Sequence, residues 1–244
     1  MIRIVSALVL TLGFATQALA MDEQYFQISK VTVREVTEQF PQKITIAGKA
    51  HMSEDCNTPS ALKIAGTPTK LDQAVSPLAV VEVFVDQIIN IGKKIWAIVD
   101  AGRPVANIQL DVANALPRGV SCWSDLSGWQ VPQSKVYNVQ YENAFGMVVV
   151  DYSYRVTYTA GGSVDGVGKY LTNATFQPAN VEVAWGFDFA ANAQVPSVFN
   201  MATKQNPVAG MQMNMKWAVK SPLNHAESTE TFFVSGKNEL KHME

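Results

Sequence analysis

Residues 78–102 alternate between apolar and polar with the period of a helix. On a wheel of about 100° per residue, one half is apolar and carries Val81, Phe84, Val85, Ile88, Ile89, Ile91, Ile95, Trp96, Ile98 and Val99. The other half carries Glu82, Asp86, Asn90, Lys93, Lys94 and Asp100. Gly102 suits a helix C-cap and Pro104 prevents continuation. The pattern predicts one long amphipathic helix over about residues 76–101.

A second interpretation of this stretch stays open. Val83 does not fit the apolar half, and the run VVEVFVD at 80–86 is β-branched enough for a strand. The charged residues argue against a membrane crossing, because each costs about 2.5–3.5 kcal/mol at the centre of a bilayer. Gly92 lies on the apolar half, where glycine weakens a helix by about 1 kcal/mol. Close approach of a neighbouring strand would explain it, and a bound ligand is the alternative.

Beyond Pro104 the apolar period changes from 3.6 to 2, which is typical of strands with one buried face. Alternation predicts strands at residues 105–112, 135–141, 147–159, 181–189, 211–220 and 229–235. Weaker strands are expected at 25–34, where Lys30 suggests a bulge, and at 43–49. Turn-rich sequence separates the later strands at 160–168, 191–207 and 221–228. The last residues, 237–244, are typical of a frayed polar tail.

These patterns predict an α+β fold that is mainly β. One apolar face per strand indicates an antiparallel sheet, and the helix offers an apolar face to cover it. We expect a curved antiparallel sheet packed on one long amphipathic helix, in a single β-rich domain over residues 21–244. The alternative is a two-sheet β-sandwich with the helix at its edge.

The first twenty residues resemble a secretory signal peptide. Arg3 provides a positive start, an apolar run begins at Ile4, and ALA at 18–20 fits the small-x-small cleavage rule. A retained N-terminal anchor is the alternative. The short positive region is typical of bacteria, and no cysteine follows Ala20 for a lipoprotein anchor. We therefore expect cleavage after Ala20 and a periplasmic or secreted protein.

Two cysteines, Cys56 and Cys122, lie in loop-like sequence. In an oxidising compartment an even pair predicts one disulfide bond. Two unpaired thiols are the alternative. His51 lies near Cys56, but one histidine, one cysteine and loop acids are not a metal-ligand set, so no metal is predicted.

Charge and motif content indicate no particular reaction. The net charge is −2 and charged residues make up 16% of the chain, which gives no reason to expect nucleic acid as a partner. The three histidines, His51, His225 and His242, fall in predicted loops or the tail. The nucleophile-elbow, zinc-protease and phosphate-loop motifs are missing from the sequence. We expect no cofactor and do not predict an enzyme.

A row of methionines is the most suggestive feature for a ligand. Met211, Met213 and Met215 share one face of a predicted strand with Trp217, and methionine adapts to irregular apolar ligands. Together with Gly92 and Trp185 they form a candidate ligand-binding set, although core packing is the interpretation of the row that we favour. Two functions follow as hypotheses: an exported non-catalytic protein that binds a protein partner or joins an envelope assembly, or a carrier of an apolar small molecule held between helix and sheet.

Overall fold

The computed structural model describes residues 23–41, 61–66, 80–105 and 111–243. Helical turns span residues 23–26, Thr37–Gln39 and Trp123–Asp125. The strands are β1 (Ile28–Glu35), β2 (Ala61–Ile64), β3 (Val80–Gly92), β4 (Ile95–Asp100), β5 (Arg103–Pro104), β6 (Ala113–Arg118), β7 (Gln133–Asn143), β8 (Val148–Val164), β9 (Val167–Val183), β10 (Asp188–Asn200), β11 (Ala209–Lys220), β12 (His225–Ser235) and β13 (Glu239–Met243). Within these residues, no helix is long and apolar enough to cross a membrane.

The strands form two sheets packed face to face. The first sheet has the order β1-β7-β8-β9-β6-β3-β2, and the second has the order β13-β12-β11-β10-β4-β5. The strand pairs are antiparallel except β2–β3. The rings of Tyr152 in the first sheet and Phe189 in the second lie 4.8 Å apart, so the inner faces touch. The mainly β class is confirmed, and the two-sheet sandwich fits better than a sheet wrapped around a helix.

The long helix predicted over residues 76–101 is wrong, because Val80–Gly92 and Ile95–Asp100 are strands. Val83, which did not fit the helical wheel, is fully buried, whereas Ile95 from its apolar half is 65% exposed. The physical reason is that the alternation of inward-facing and outward-facing side chains is interrupted within β3. The pairing of β3 with β6 shifts register between Phe84 and Ile88, which changes the side of the strand that faces the core.

Core-facing residues therefore recur every three positions across this break. Val85, Ile88 and Ile91 all pack against the core, and a spacing of three imitates the helical period. β3 and β4 also belong to different sheets: β3 pairs with β6, whereas β4 pairs with β10. The chain thus changes sheets between Gly92 and Ile95, as strands at the corners of sandwiches do.

Gly92 permits this change of sheet. Its φ is +118°, and a Cβ at this position would lie 2.4 Å from the carbonyl oxygen of Val112. Only glycine avoids that overlap and adopts this φ without strain. The close approach of a neighbouring strand predicted at Gly92 is confirmed, although in a bent strand rather than a helix.

The later strands follow the alternation closely. β11 buries every second residue, and those residues are Met211, Met213, Met215, Trp217 and Val219. The predicted strand at 135–141 lies within β7 (Gln133–Asn143). The bulge expected at Lys30 is confirmed by a register shift between Ile28 and Lys30. Here the pattern is reliable, because each strand has one buried face and one solvated face.

Four segment boundaries differ from the prediction. The strand expected at 181–189 is interrupted by a turn between Val183 and Asp188. The loop expected at 160–168 is strand except for a turn at 165–166. β10 covers most of the predicted loop at 191–207. The expected C-terminal tail instead pairs with β12 as strand β13. In the last three cases pairing with a neighbouring strand overrides the local preference for a turn or a polar tail.

Several predictions lie outside the described residues. They are the signal peptide at 1–20, the strand at 43–49, His51, Cys56 and most of the strand at 105–112. Cys122 is described; it is 2% exposed and is not a free cysteine. The pairing of Cys56 with Cys122 therefore stays a prediction.

Candidate functional site

Strand order brings several connections to one end of the sandwich. We define the tip end by the turns at residues 144–147, 184–187 and 221–224 together with the N-terminal residues 23–27. Pairing of Ile28 with Asn143 places the start of β1 beside the β7–β8 turn. Pairing of Val150 with Val183 brings the β9–β10 turn to the same edge. The β11–β12 turn joins them because Asp188 lies opposite Lys220.

The N-terminal helical turn ties the two sheets together at this end. The Tyr25 hydroxyl donates a hydrogen bond of 3.1 Å to the carbonyl oxygen of Trp185. The Ser221 hydroxyl donates one of 2.8 Å to the carbonyl oxygen of Phe26. The Phe26 ring lies 6.2 Å from the Trp185 ring and 6.0 Å from the Phe187 ring. These aromatic contacts pack the N-terminal helical turn against the β9–β10 turn.

The tip end exposes large apolar side chains. Trp185 is 82% exposed, and the other members are exposed by 55%, 54%, 48% and 46%: Leu223, Met147, Val148 and Phe145. We call these five residues the tip set. They come from three separate turns, so their exposure is not an accident of one loop. The tip set gathers at one end of the sandwich, and large exposed apolar patches mark interaction sites in soluble proteins.

The tip turns carry no charged residue. Their sequences are AFGM at 144–147, AWGF at 184–187 and SPLN at 221–224. At the opposite end, the connections at 165–166, 201–207 and 236–238 each contain a charge, from Asp165, Lys204 and Lys237. That end also exposes apolar residues, such as Val131 at 67% and Phe199 at 45%. The three tip turns therefore lack the charges that these connections carry, although Glu23 also lies at the tip end.

Side chains satisfy the backbone of the tip turns. The Asn143 side-chain oxygen accepts hydrogen bonds of 3.0 Å from the backbone N–H groups of Phe145 and Met147. The Ser221 hydroxyl oxygen accepts one of 3.0 Å from the N–H of Asn224. The N–H of Phe187 bonds to the carbonyl oxygen of Ala184. These bonds lower the polar cost of removing the β7–β8 and β11–β12 turns from water, because most of their donors already have partners.

A band of charges of both signs lies one or two residues behind the tips. Lys30 and Glu142 form an ion pair of 2.9 Å, and the His225 ring is hydrogen-bonded to the Glu227 carboxylate at 2.9 Å. The hydrogen bond from His225 lowers the pKa of the Glu227 carboxyl. Asp188 and Lys220, both exposed, occupy opposite positions in the β10–β11 pair. The apolar tips therefore project beyond a mixed polar collar.

The structure separates the residues predicted to bind a ligand. Met211, Met213 and Met215 are fully buried and Trp217 is 2% exposed, so the methionine row faces the core. The Tyr152 hydroxyl donates to the sulfur of Met215 at 3.6 Å. Trp185 lies elsewhere, on an exposed turn, and Gly92 lies at the sheet change. The set does not form one surface.

One cleft opens elsewhere between the sheets. Its volume is about 240 Å³, and its walls include Trp96, Ile98, Thr175 and Phe176. None of the methionines of β11 lines it. The predicted ligand-binding residues and this cleft are therefore separate features.

Ionisable residues cluster along a different edge, where β13 meets β12. The His242 ring stacks on Phe232 at 4.7 Å and bonds to the Glu230 carboxylate. Nearby, Lys135 donates a hydrogen bond to Glu35 and lowers the pKa of that carboxyl. Within the described part of the chain, no group of three or more His, Cys, Asp or Glu residues could hold a metal ion. These pairs fasten neighbouring strands together.

The sequence analysis missed most of the tip set. Only Trp185 was singled out, and it was placed on the buried face of a strand. A usable signal was present: glycine or proline turns are normally flanked by polar residues, whereas Gly146, Gly186 and Pro222 are flanked by Phe, Trp, Met and Leu. Comparison of the chain with known protein families, curated proteins and solved structures finds no match.

Proposed function

We propose that this protein is an exported, non-catalytic binding protein that docks on a component of the bacterial envelope through its tip end. The observation that carries the proposal is the tip set, with Trp185 82% exposed on an uncharged turn. The signal-peptide pattern of residues 1–20 supports export to the periplasm or the medium. The engagement of His225 and His242 with glutamates on neighbouring positions supports a structural use of both rings.

The energetics suit reversible docking. Burying a large apolar side chain contributes roughly 1.5–3 kcal/mol when it starts fully exposed. The five side chains of the tip set are 46–82% exposed. Burying them together would supply on the order of 5–10 kcal/mol. Association costs an estimated 4–15 kcal/mol in lost freedom. The tip set alone therefore supports weak binding, and tight binding requires contributions from the charged collar.

The carrier hypothesis has less support. It places an apolar molecule against Met211, Met213 and Met215, and those side chains are already fully buried in the core. The 3.6 Å bond between the Tyr152 hydroxyl and the Met215 sulfur spans the two sheets at this point. A ligand there would have to displace core side chains, which costs more than filling an existing cavity.

Sedimentation with isolated bacterial envelope fragments tests the docking proposal. The variant Trp185→Ser/Leu223→Ser removes two tip side chains, and Val131→Ser is the matched control because Val131 is 67% exposed at the other end of the sandwich. We expect the unchanged protein and the control to pellet with the fragments and the double variant to stay in the supernatant. Near-ultraviolet circular dichroism checks that all three are folded. Equal pelleting of all three proteins, or of none, would contradict the proposal.

A further inference from the structure

We infer that the partner at the tip end is the phospholipid bilayer itself, entered by the tip set to the depth of the headgroup–acyl boundary. The inference rests on the proposed docking function and names the surface that the tips meet. It assigns a role to residues that neither the core nor any ion pair uses, namely Phe145, Met147, Val148, Trp185 and Leu223.

Hydrogen bonding at two of the tip turns suits contact with acyl chains. Below the headgroups every backbone polar group needs a partner within the protein, since lipid tails offer none. The Asn143 side chain meets this requirement for two N–H groups of the β7–β8 turn. Ser221 does the same for the β11–β12 turn.

The residue types point the same way. Tryptophan is enriched at the membrane–water interface because its ring is apolar and its N–H is polar. Trp185 is the most exposed large apolar residue among the described ones. Phe, Met and Leu on the neighbouring turns supply apolar surface of the kind that interfacial anchors bury about 5–10 Å deep.

Charge complementarity identifies the kind of lipid surface. The collar behind the tips carries both cations and anions: Lys30 and Lys220 with Glu142, Asp188 and Glu227. A zwitterionic headgroup layer carries both an ammonium and a phosphate and can pair with both signs. A purely anionic surface would repel the three carboxylates of the collar. We therefore expect apolar insertion to drive binding, with little dependence on salt.

Protein-free vesicles test the inference. Flotation with phosphatidylcholine vesicles, and with vesicles containing added phosphatidylglycerol, should recover the unchanged protein in both cases. The Val131→Ser control should float equally. We expect Trp185→Ser and Leu223→Ser each to lower the partition coefficient by about tenfold, which corresponds to about 1.4 kcal/mol. The loss should be similar at 50 mM and 500 mM salt.

Fluorescence locates the tryptophan. All five tryptophans are described, and Trp185 is far more exposed than the buried Trp96 and Trp217. We expect a blue shift of emission on adding vesicles and quenching by brominated acyl chains. The variant Trp185→Phe keeps an apolar tip, so it should still float while losing both spectral changes.

Three results would overturn the inference. Binding to envelope fragments without binding to vesicles would identify a protein partner and leave the docking proposal standing. Binding that needs phosphatidylglycerol and disappears at 500 mM salt would make the contact electrostatic. A dimer in light scattering that Trp185→Ser dissociates would identify a second copy of the chain as the occupant of the tip end.

Discussion

The indole N–H of Trp217 donates a hydrogen bond of 2.9 Å to the hydroxyl oxygen of Tyr141 and so joins the two sheets through their core. Trp217 belongs to β11 and Tyr141 to β7, and both side chains are buried. The Tyr141 hydroxyl also lies 3.4 Å from the Ser228 hydroxyl. By contrast, the buried Tyr154 hydroxyl has no hydrogen-bond partner among the described residues. The same core therefore contains one tyrosine hydroxyl with hydrogen-bond partners, that of Tyr141, and one without, that of Tyr154.

Tyr141→Phe should destabilise the protein by about 1–3 kcal/mol. The substitution leaves the Trp217 N–H buried without an acceptor, and the cost of an unsatisfied buried donor exceeds the net value of the bond itself. Urea unfolding followed by tryptophan fluorescence measures the difference. The denaturant slope should stay unchanged, because the buried area hardly changes.

Tyr154→Phe is the matched control, since it removes a buried hydroxyl that has no partner. We expect it to be neutral or to stabilise the fold by about 1 kcal/mol. Equal losses of stability in Tyr141→Phe and Tyr154→Phe would show that the 2.9 Å bond has no special role and that both losses come from packing alone.

High pH should unfold the protein cooperatively between about pH 10 and pH 12. Burial, aided by Glu35 and Glu230, raises the pKa of Tyr137 to about 12, and burial with Glu239 nearby raises the pKa of Tyr158 to about 12. Burial also holds the pKa values of Tyr152 and Tyr154 well above 10. The folded state thus retains protons that the unfolded state loses above its ordinary tyrosine pKa of about 10. Stability is unaffected below that pH and falls above it.

Each such tyrosine lowers the free energy of unfolding by about 1.4 kcal/mol per pH unit in this window. Tyrosinate absorbance at 295 nm and near-ultraviolet circular dichroism should therefore change together in one steep step. The variant Tyr158→Phe should make the decline shallower by about 1.4 kcal/mol per pH unit. A gradual rise in absorbance centred near pH 10, with the dichroism unchanged, would contradict the burial of these phenols.

Gly92→Ala should cost more than about 2 kcal/mol. It places a Cβ 2.4 Å from the Val112 carbonyl oxygen at a φ of +118°, so the strand could no longer change sheets at this point. Gly166→Ala is the control, because Gly166 also has a positive φ of +80° but nothing lies within 4 Å of its added Cβ. There we expect only backbone strain of about 1 kcal/mol. Thermal unfolding compares the two variants, and equal shifts in Tm would refute the role given to close approach.

Side-chain alternation was enough to predict the strands with one buried face, as in β11, where Met211 to Val219 alternate between core and solvent. It failed where the period was interrupted. The register shift after Phe84 and the change of sheet at Gly92 turned a period of 2 into an apparent helical period. Both events depend on the partner strand β6, which lies elsewhere in the sequence, so no local pattern could show them.

The candidate site was harder to predict than the fold. Alternation places Trp185 on the apolar face of the strand predicted at 181–189 and in the candidate ligand-binding set, but the chain turns between Val183 and Asp188 and exposes it. Phe145 and Leu223 lie in segments whose sequences resemble ordinary connections between strands. These residues lie at the same end of the sandwich only because the topology places three turns there. Topology is set by long-range strand pairing rather than by local sequence.

A disulfide between Cys56 and Cys122 remains the prediction with the largest consequence for stability. Cys122 is buried beside the turn Trp123–Asp125 and is not a free cysteine, whereas Cys56 lies outside the described residues. Closing so long a loop constrains the unfolded chain and contributes roughly 4 kcal/mol. We expect the unfolded, unreduced protein to take up no thiol label and the reduced protein to take up two. Cys56→Ser and the double variant Cys56→Ser/Cys122→Ser should lose similar stability, because both remove the same bond. Two labels without reduction, or a much larger loss in the double variant than in Cys56→Ser, would show that the two cysteines act independently.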